Sequence, residues 1–441
     1  MPDIKLPPEA LFAIGRMEEA GYPCYAVGGF VRDALKGDPC HDVDLTTAAS
    51  PEEMRRVFAG EKLIATGEKH GTLTLVKEGV PLEITTFRAD MPYLDGRHPS
   101  GVRFSGDIRE DLARRDFTIN AMAYSPARGL VDPFGGRRDL KARVLKCVGV
   151  PRERFEEDAL RLLRALRFAA RFSLKVDGPT AEAITACAPR IGLVSRERIA
   201  SEMDGLLCAP GVVDIALRFS EVLFRAVEEL RPMAGCLQRC PYHIYDVWEH
   251  SLRAVENVPP VSLLRWCALL HDVGKPAVRV TDETGQDHFK GHEEIGARMA
   301  VKILEGLKMP RRFIAAAERL IRLHDRRFKV PEVKSVMRLL GAEDTRSLIL
   351  LQRGDLLAHS PMIAEKAADQ LALLSEVDRV EMSGEPYTLK QLAVTGDDLI
   401  REGMRGPGVG QALEEALTAV MVLNIPNERD TIMDWIRRNL M

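Results

Sequence analysis

Gly28-Gly29-Phe30-Val31-Arg32-Asp33, followed by Asp42-Val43-Asp44, is the stretch on which the reading of this chain turns. The apolar run Tyr25-Ala26-Val27 just before it reads as a strand that delivers the glycines. Lacking Cβ atoms, the glycines let backbone N–H groups come close to a polyphosphate. A helix-like segment follows, then two carboxylates separated by one apolar residue. Residues i and i+2 of a strand point to one face, so Asp42 and Asp44 converge while Val43 faces the core. Two carboxylates on one face suit divalent metals in phosphoryl chemistry. In isolation the same residues also fit a solvated turn. The neighbourhood adds a third acid. Pro81-Leu82-Glu83-Ile84-Thr85-Thr86-Phe87 is rich in β-branched residues and reads as a strand, with Glu83 between apolar Leu82 and Ile84. An acid in that setting calls for a partner, either a metal shared with Asp42 and Asp44 or water beside an edge strand.

With 441 residues the chain is long enough for two or more domains. Its 46% hydrophobic and 29% charged residues place it among soluble globular proteins. No apolar run is long enough to span a bilayer, and Met1-Pro2-Asp3-Ile4-Lys5 has no apolar signal core. The expectation is a cytoplasmic protein with no membrane partner; the sequence carries no signal for an oligomeric state. Eight scattered cysteines form no C-x-x-C pair, so reduced thiols are expected rather than disulfides or a zinc site.

The formal net charge of −3 argues against a basic surface everywhere, so any nucleic-acid surface must be local. The best stretch holds Arg152, Arg154, Arg161, Arg164, Arg167 and Arg171. Glu153, Glu156, Glu157 and Asp158 are interleaved, which also fits a salt-bridged helix face. Up to about residue 145, short β-rich runs such as Gly71-Thr72-Leu73-Thr74-Leu75-Val76 alternate with turns and helices; from Pro151 onward helical periodicity dominates. Breaks are expected near Pro151, around Arg231-Pro232 and around Ser383-Gly384-Glu385-Pro386.

Four further motifs follow the first in order: Arg114-Arg115-Asp116-Phe117-Thr118-Ile119-Asn120-Ala121-Met122-Ala123, then Asp132-Pro133-Phe134-Gly135-Gly136 with Asp139-Leu140, then Glu157-Asp158-Ala159-Leu160-Arg161, then Ser195-Arg196-Glu197-Arg198-Ile199. Together with Gly28 through Asp44, they resemble the class II tRNA nucleotidyltransferases. This is the family of CCA-adding enzymes and bacterial poly(A) polymerases, within the polymerase-β-like superfamily. In that resemblance the motifs are respectively catalytic, ribose-recognising, a hinge between head and neck, nucleotide-selecting, and the start of a neck helix. The implied fold is α+β: a polymerase-β-like nucleotidyltransferase head with a mixed sheet and helices, followed by an all-α neck, an HD-containing body and a tail. The expected ranges are 1–145, 146–230, 231–380 and 381–441.

The resemblance implies stepwise addition of C, C and A to tRNA 3′ ends from CTP and ATP, without a nucleic-acid template and with release of pyrophosphate. Asp42, Asp44 and Glu83 would be the catalytic acids, the first two holding Mg²⁺. Gly28, Gly29 and Arg32 would hold the triphosphate, with Asp33 orienting the loop. Arg114 and Arg115 are polar members of the second motif, and Asp116 and Asn120 would lie near the nucleotide sugar. On a helix, Asp158 and Arg161 stand at i and i+3 and share a face. One offers acceptors and the other donors, enough to read the Watson–Crick edge of cytosine or adenine. The same spacing fits an intrahelical salt bridge. Glu157 belongs to this motif, and Arg164 lies one turn on, placed for phosphate or for orienting Asp158. A loop between Arg88 and Phe104, with Asp95-Gly96-Arg97-His98-Pro99, is where the family switches from CTP to ATP.

A second constellation lies downstream. His271-Asp272, in Leu269-Leu270-His271-Asp272-Val273-Gly274-Lys275-Pro276, resembles the signature of HD-domain metal-dependent phosphohydrolases. An adjacent His-Asp pair on a helix can ligate one ion, with His250 and Asp355 arriving from other helices. His292 and His324 are candidates for a second divalent metal. Six of the ten histidines lie between 243 and 324. A degenerate fold kept for structure fits the same motif. An active site would imply 2′,3′-cyclic phosphates, 2′-nucleotides or phosphodiesters as substrates. Further on, Leu392-Ala393-Val394-Thr395-Gly396-Asp397-Asp398-Leu399-Ile400 and the glycines to Gly410 resemble the family's tail element, and Gly408-Val409-Gly410-Gln411 reads as a helix opening, with or without a phosphate ligand. Two other readings stand beside CCA addition: a poly(A) polymerase or A-adding enzyme, which shares the head motifs, and an HD phosphohydrolase acting on RNA ends or nucleotides.

Overall fold

The computed structural model describes residues 4–40, 42–90, 102–423 and 425–440, without the side chains of 66, 69, 89, 90 and 102. It divides into two compact units, Met1–Glu228 and Glu229–Met441.

The first unit opens with α1 (Pro8–Glu19), β1 (Cys24–Val27), α2 (Gly29–Lys36), β2 (Asp44–Thr47) and α3 (Pro51–Val57). Next come β3 (Lys62–Gly67), β4 (Thr72–Lys77) and β5 (Val80–Thr86). Strands β6 (Arg88–Asp90) and β7 (Val102–Phe104) pair with each other, and α4 (Ile108–Ala113) leads to β8 (Ala123–Ser125) and β9 (Gly129–Val131). The main sheet runs β3-β4-β5-β2-β1-β8-β9. It is mixed, because β2 and β5 are parallel while the other neighbours are antiparallel. Proline at the first position starts α1, and a Ser50–Glu53 capping box starts α3.

Strand alternation divides the side chains between two cores. Cys24, Ala26, Leu45, Leu73, Leu82 and Ile84 pack with Ile14, Phe30, Val31 and Met54 of the helices. On the other face Tyr25, Val27, Phe87, Leu112, Ala121 and Ala123 form a second cluster. Val27 pairs directly with Asp44, so Asp44 stands on this second face. Leu45 pairs with Ile84 in the parallel register, so Glu83 stands on the same face, one strand over.

After the sheet come α5 (Gly136–Lys141), α6 (Pro151–Glu157), α7 (Leu160–Phe172), α8 (Gly178–Cys187), α9 (Arg196–Leu207), α10 (Val212–Arg218) and α11 (Ser220–Ala226). Helix α5 supports the turn at Thr118–Asn120. The Asp132 carboxylate accepts from the Gly136 and Arg137 amides at 2.7 and 3.0 Å, and the Thr118 hydroxyl donates to Asp139 at 2.8 Å. A Cβ on Gly136 would stand 2.0 Å from the Thr118 carbonyl oxygen. Gly136→Ala therefore forces the turn to move. It should cost about 1–3 kcal/mol, read as a lowered thermal unfolding midpoint. An unchanged midpoint would contradict this packing.

The second unit is helical: α12 (Val247–Asn257), α13 (Ser262–Leu270), α14 (Lys275–Val278), α15 (His292–Gly306), α16 (Arg311–Leu323), α17 (Val333–Leu340), α18 (Ala342–Leu357), α19 (Pro361–Ala364), α20 (Asp369–Ser383), α21 (Gly396–Arg401), α22 (Pro407–Val422) and α23 (Arg429–Leu440). Around Ser383-Gly384, α20 ends on Gly384 in the left-handed region. Helix α22 begins at Pro407 behind Gly406, also at positive φ. No described helix is long and apolar enough to cross a membrane.

Candidate active site

A cavity of about 530 Å³ in the first unit gathers most of the sequence-predicted residues. Gly28, Gly29, Arg32, Arg114, Arg115, Asp116, Asn120, Asp158, Arg161 and Arg164 line it, together with Asp44. Seven arginines face three aspartates there, a balance suited to a polyphosphate. Asp42, Glu83 and Glu157 stand outside this wall.

Strand β1 ends at Val27, and the chain turns into α2 through Gly28. Gly28 has φ 68° and ψ −126°, a region open to glycine and costly for other residues. A Cβ there would also approach the Arg115 Nη1 atom to 2.8 Å. The glycines thus place the first turn of α2 at the cavity with Arg115 alongside. Buried Asp111 holds that side of the cavity by accepting from Arg114 at 2.8 Å and Arg115 at 3.4 Å.

One hydrogen-bonded chain crosses the cavity wall. Asp33 accepts two bonds from Arg32, at 2.7 and 2.8 Å, so it orients an arginine. Arg32 Nη1 donates to Asn120 Oδ1 at 2.7 Å, and Asn120 Nδ2 donates to Asp116 Oδ1 at 3.2 Å. Asp116 Oδ2 accepts from Arg164 Nε at 2.8 Å. Arg32 also lies over the Phe172 ring, its guanidinium carbon 4.4 Å from the centroid. Burial would raise the Asp116 carboxyl, but Arg164, Asn120 and Arg161 together hold it below the usual carboxylate range.

The carboxylates depart from expectation in detail. Strand β2 starts at Asp44, so Asp42 precedes it and the strict i, i+2 alternation is lost. Val43 does face the core, as expected. Both aspartates are exposed, and they remain near enough to interact. Desolvation raises the Asp44 carboxyl, Arg115 opposes this, and Asp42 adds a smaller upward push. A divalent cation would relieve that repulsion, so the donor set fits one. Glu83 is exposed on β5, which lies between β4 and β2 and is therefore not an edge strand.

The nucleotide-selecting motif is not one helix face. Helix α6 ends at Glu157, Asp158 is extended at φ −141° and ψ 106°, and α7 begins at Leu160. Arg161 donates to Glu157 at 2.7 Å and to the Arg114 carbonyl at 3.0 Å. Asp158 instead accepts from Arg198 at 2.8 Å. The break between helices turns both side chains to the cavity, each held by a different partner. The salt-bridged reading of the arginine stretch holds for Arg152 with Glu156, and for Arg154 and Arg161 with Glu157. Phe168 lines the cavity without having been singled out, and so do Arg167, named only in the arginine stretch, and Arg198, given no site role. Arg198 was legible in its quoted motif. Phe168, with Arg167 4.5 Å over its ring, sits two turns past Arg161 on α7.

The histidine cluster forms within the second unit. His271 follows the last residue of α13, so the His-Asp pair lies in the turn after the helix rather than on it. His250 comes from α12, His292 begins α15, His324 follows α16, and Asp355 lies on α18. The Nδ1–H groups of His271, His292 and His324 donate to backbone carbonyls at 2.8, 2.9 and 2.6 Å. That leaves Nε2 lone pairs pointing inward, as metal-ligating histidines require. The Nε2 atoms of His250, His271, His292 and His324 lie 3.6, 3.2, 3.4 and 3.8 Å from Asp272 oxygens. His250 Nε2 is also 3.0 Å from Asp355 Oδ1. Asp272 is buried, with its Oδ2 2.6 Å from the Lys275 ammonium and 3.2 Å from His271 Nε2.

Burial acts to lower His271, but Asp272 and Asp355 drive it up to about 10. Both carboxyls are held well below their ordinary value despite burial. The mixed imidazole–carboxylate set fits a transition metal. His243 and His359 were missed: with His250 they form another trio of ligand atoms within 4.8 Å. The four-residue step from Asp355 to His359 was the available signal. Residues 95–99 of the expected switching loop lie outside the described residues.

Three family models match: the poly A polymerase head domain over residues 24–146, the probable RNA and SrmB-binding site of polymerase A over 173–217, and the HD domain over 242–360. The chain is 31% identical over 436 residues to the CCA-adding enzyme of Bacillus licheniformis, covering 97% of each chain. It is 45% identical to that of Streptococcus gordonii over 202 residues, 46% of this chain and 50% of the relative. The crystal structure of the Bacillus stearothermophilus CCA-adding enzyme in complex with CTP superimposes with a TM-score of 0.73, at 29% identity and 98% coverage of both chains.

Proposed function

Because this chain belongs to the family of CCA-adding enzymes, we propose that it extends tRNA 3′ ends by C, C and A, taking CTP and ATP in the first-unit cavity. The observation that carries this reading is the convergence, on one arginine-rich cavity, of the glycine turn, the Asp44 edge and the Asp158–Arg161 pair. The related enzymes carry the name of CCA addition, which favours it over poly(A) synthesis.

The glycine turn and Arg115 receive the triphosphate. Asn120 and Asp116, fixed by Arg32 and Arg164, receive the sugar. Asp158 and Arg161 receive the base edge, one accepting and one donating hydrogen bonds. Their partners, Arg198 and Glu157, are anchored on protein, so the reading groups keep their direction without a template. The family works with divalent metal, and Asp42 and Asp44 are the residues that would hold Mg²⁺ here, with Glu83 as the third acid. When bound, such ions acidify an attacking 3′-hydroxyl and offset charge on the departing pyrophosphate.

Selection by Arg161 is testable directly. Arg161→Ala should reduce discrimination of CTP over UTP by about tenfold or more, since a good base contact is worth ~1–3 kcal/mol. The kcat/KM ratio for the two nucleotides on tRNA lacking its CCA end is the measurement. An unchanged ratio would make Arg161 a structural partner of Glu157 only.

A second reading concerns the histidine cluster. The buried Asp272 carboxylate ringed by inward Nε2 atoms of four histidines supports a metal-dependent phosphohydrolase activity on phosphate esters of RNA ends or nucleotides. Asp272→Ala should remove manganese-stimulated hydrolysis of p-nitrophenyl phosphate by the purified protein. Hydrolysis that survives would exclude this cluster as its source.

A further inference from the structure

Helix α7 carries Arg161, Arg164, Phe168 and Phe172 at i, i+3, i+7 and i+11, the spacing of a single stripe. Arg161 faces the first-unit cavity, and Arg164 holds Asp116. The two phenylalanines continue the stripe, their rings 14° from parallel with centroids 6.0 Å apart. Phe168 lines the cavity and meets buried Phe117 edge-on, at 82° and 5.8 Å, next to the Thr118–Asn120 turn. Phe172 stands outside the cavity wall, as the last residue of α7 before the chain turns at Ser173 in the left-handed region.

What Phe172 meets is α2. The Arg32 guanidinium carbon lies 4.4 Å from its ring centroid, and the Lys36 ammonium lies 4.5 Å from it. Arg32 and Lys36 are one turn apart on α2, where like charges repel. Arg32 is only 5% exposed, so water does little to screen that repulsion. The negative face of the Phe172 ring and the Asp33 carboxylate offset it. Every nitrogen of Arg32 donates to protein: Nε and Nη2 to Asp33, and Nη1 to Asn120. Such a guanidinium suits orienting a neighbour. The Asn120 amide, held by Arg32 at its oxygen and by Asp116 at its nitrogen, keeps a second N–H and a second lone pair. A sugar hydroxyl, which both donates and accepts, matches that pair.

We propose that Phe172 is a positioning residue for recognition of the nucleotide sugar. Its ring fixes the Arg32 guanidinium, Arg32 fixes the Asn120 amide, and Asn120 meets the ribose 2′-hydroxyl. This rests on the reading that Asn120 and Asp116 receive the sugar. One rigid helix then carries a base-reading group, Arg161, toward one end and the support of the sugar-reading group at the other. Phe172 itself touches no nucleotide, so its loss acts only through Arg32.

The test compares addition of CTP and of dCTP, which lacks the 2′-hydroxyl, by the full chain to tRNA without its CCA end. In Phe172→Leu, kcat/KM for CTP should fall about fivefold, chiefly through KM, the scale of one cation–π contact. The value for dCTP should stay near wild type, whereas a purely structural defect lowers both alike. Phe172→Tyr keeps a ring and should keep the wild-type ratio of the two nucleotides. Phe172→Met, also without a ring, serves if the leucine variant does not fold. Asn120→Ala should lower the ratio further than Phe172→Leu. Equal losses for both nucleotides in Phe172→Leu, no loss at all, or a tyrosine variant as impaired as the leucine one would overturn the positioning role while leaving Asn120 at the sugar. A wild-type protein that takes CTP and dCTP alike, or a ratio that Asn120→Ala leaves unchanged, would overturn the sugar reading and the proposal with it.

Discussion

Replacing Asp42 and Asp44 together by alanine should abolish nucleotide incorporation, by about 10³-fold or more, while leaving the hydrolytic activity proposed for the second unit in place. The two carboxylates are exposed and sit beside the glycine turn. They make no core contacts whose loss would unfold the sheet. Val43 between them does pack in the core, and the substitution leaves it intact. The loss should therefore be in catalysis, with thermal unfolding close to wild type. Repulsion between Asp42 and Asp44 is part of what raises the Asp44 carboxyl, and removing both acids relieves it. Incorporation that survives the double substitution would remove these residues from the chemistry. Loss of both activities together would mean that the two sites are not independent.

Asp116→Ala should have the largest effect on stability, about 1–3 kcal/mol, because it removes a buried acceptor from Asn120, the Phe117 amide and the partly exposed Arg164. Asp116 accepts from the Phe117 amide at 2.9 Å, from Asn120 at 3.2 Å and from Arg164 at 2.8 Å. Alanine leaves Arg164 with Glu202 at 3.6 Å and unties Asn120 on the side facing Arg32. The folded carboxyl lies below its ordinary value. Its contribution is therefore full above the ordinary carboxylate range and is lost as pH falls through the lowered value. The gap in denaturation midpoint between wild type and variant should be widest near neutrality and narrow on acidification. Equal midpoints at neutral pH, or a gap that widens in acid, would contradict the network. Incorporation should fall as well, since Asn120 then loses one of its two anchors.

The sheet was legible because its strands are short, β-branched and bounded by glycines, while the Asp42-Val43-Asp44 alternation read as strand turned out to precede β2. The glycine turn was legible for a steric reason: only glycine tolerates the backbone of Gly28. What the sequence did not reveal was where helices end. Periodicity runs smoothly from Arg154 through Arg164, yet the backbone breaks at Asp158. Its carboxylate is taken by Arg198, forty residues away, and local spacing carries no trace of such a partner. The histidine cluster shows the same pattern. His271 and Asp272 were readable as a pair, but their position beyond the helix and the approach of His243 and His359 depend on tertiary packing. Residue types announced the chemistry, and long-range pairing decided the geometry.

The most direct measurement is extension of a tRNA lacking its CCA end, with Mg²⁺ and CTP alone, ATP alone, or both, read at single-nucleotide resolution. The account predicts two additions with CTP alone and a third only when ATP is also present. A long ladder of A residues, or no addition under any condition, would contradict it.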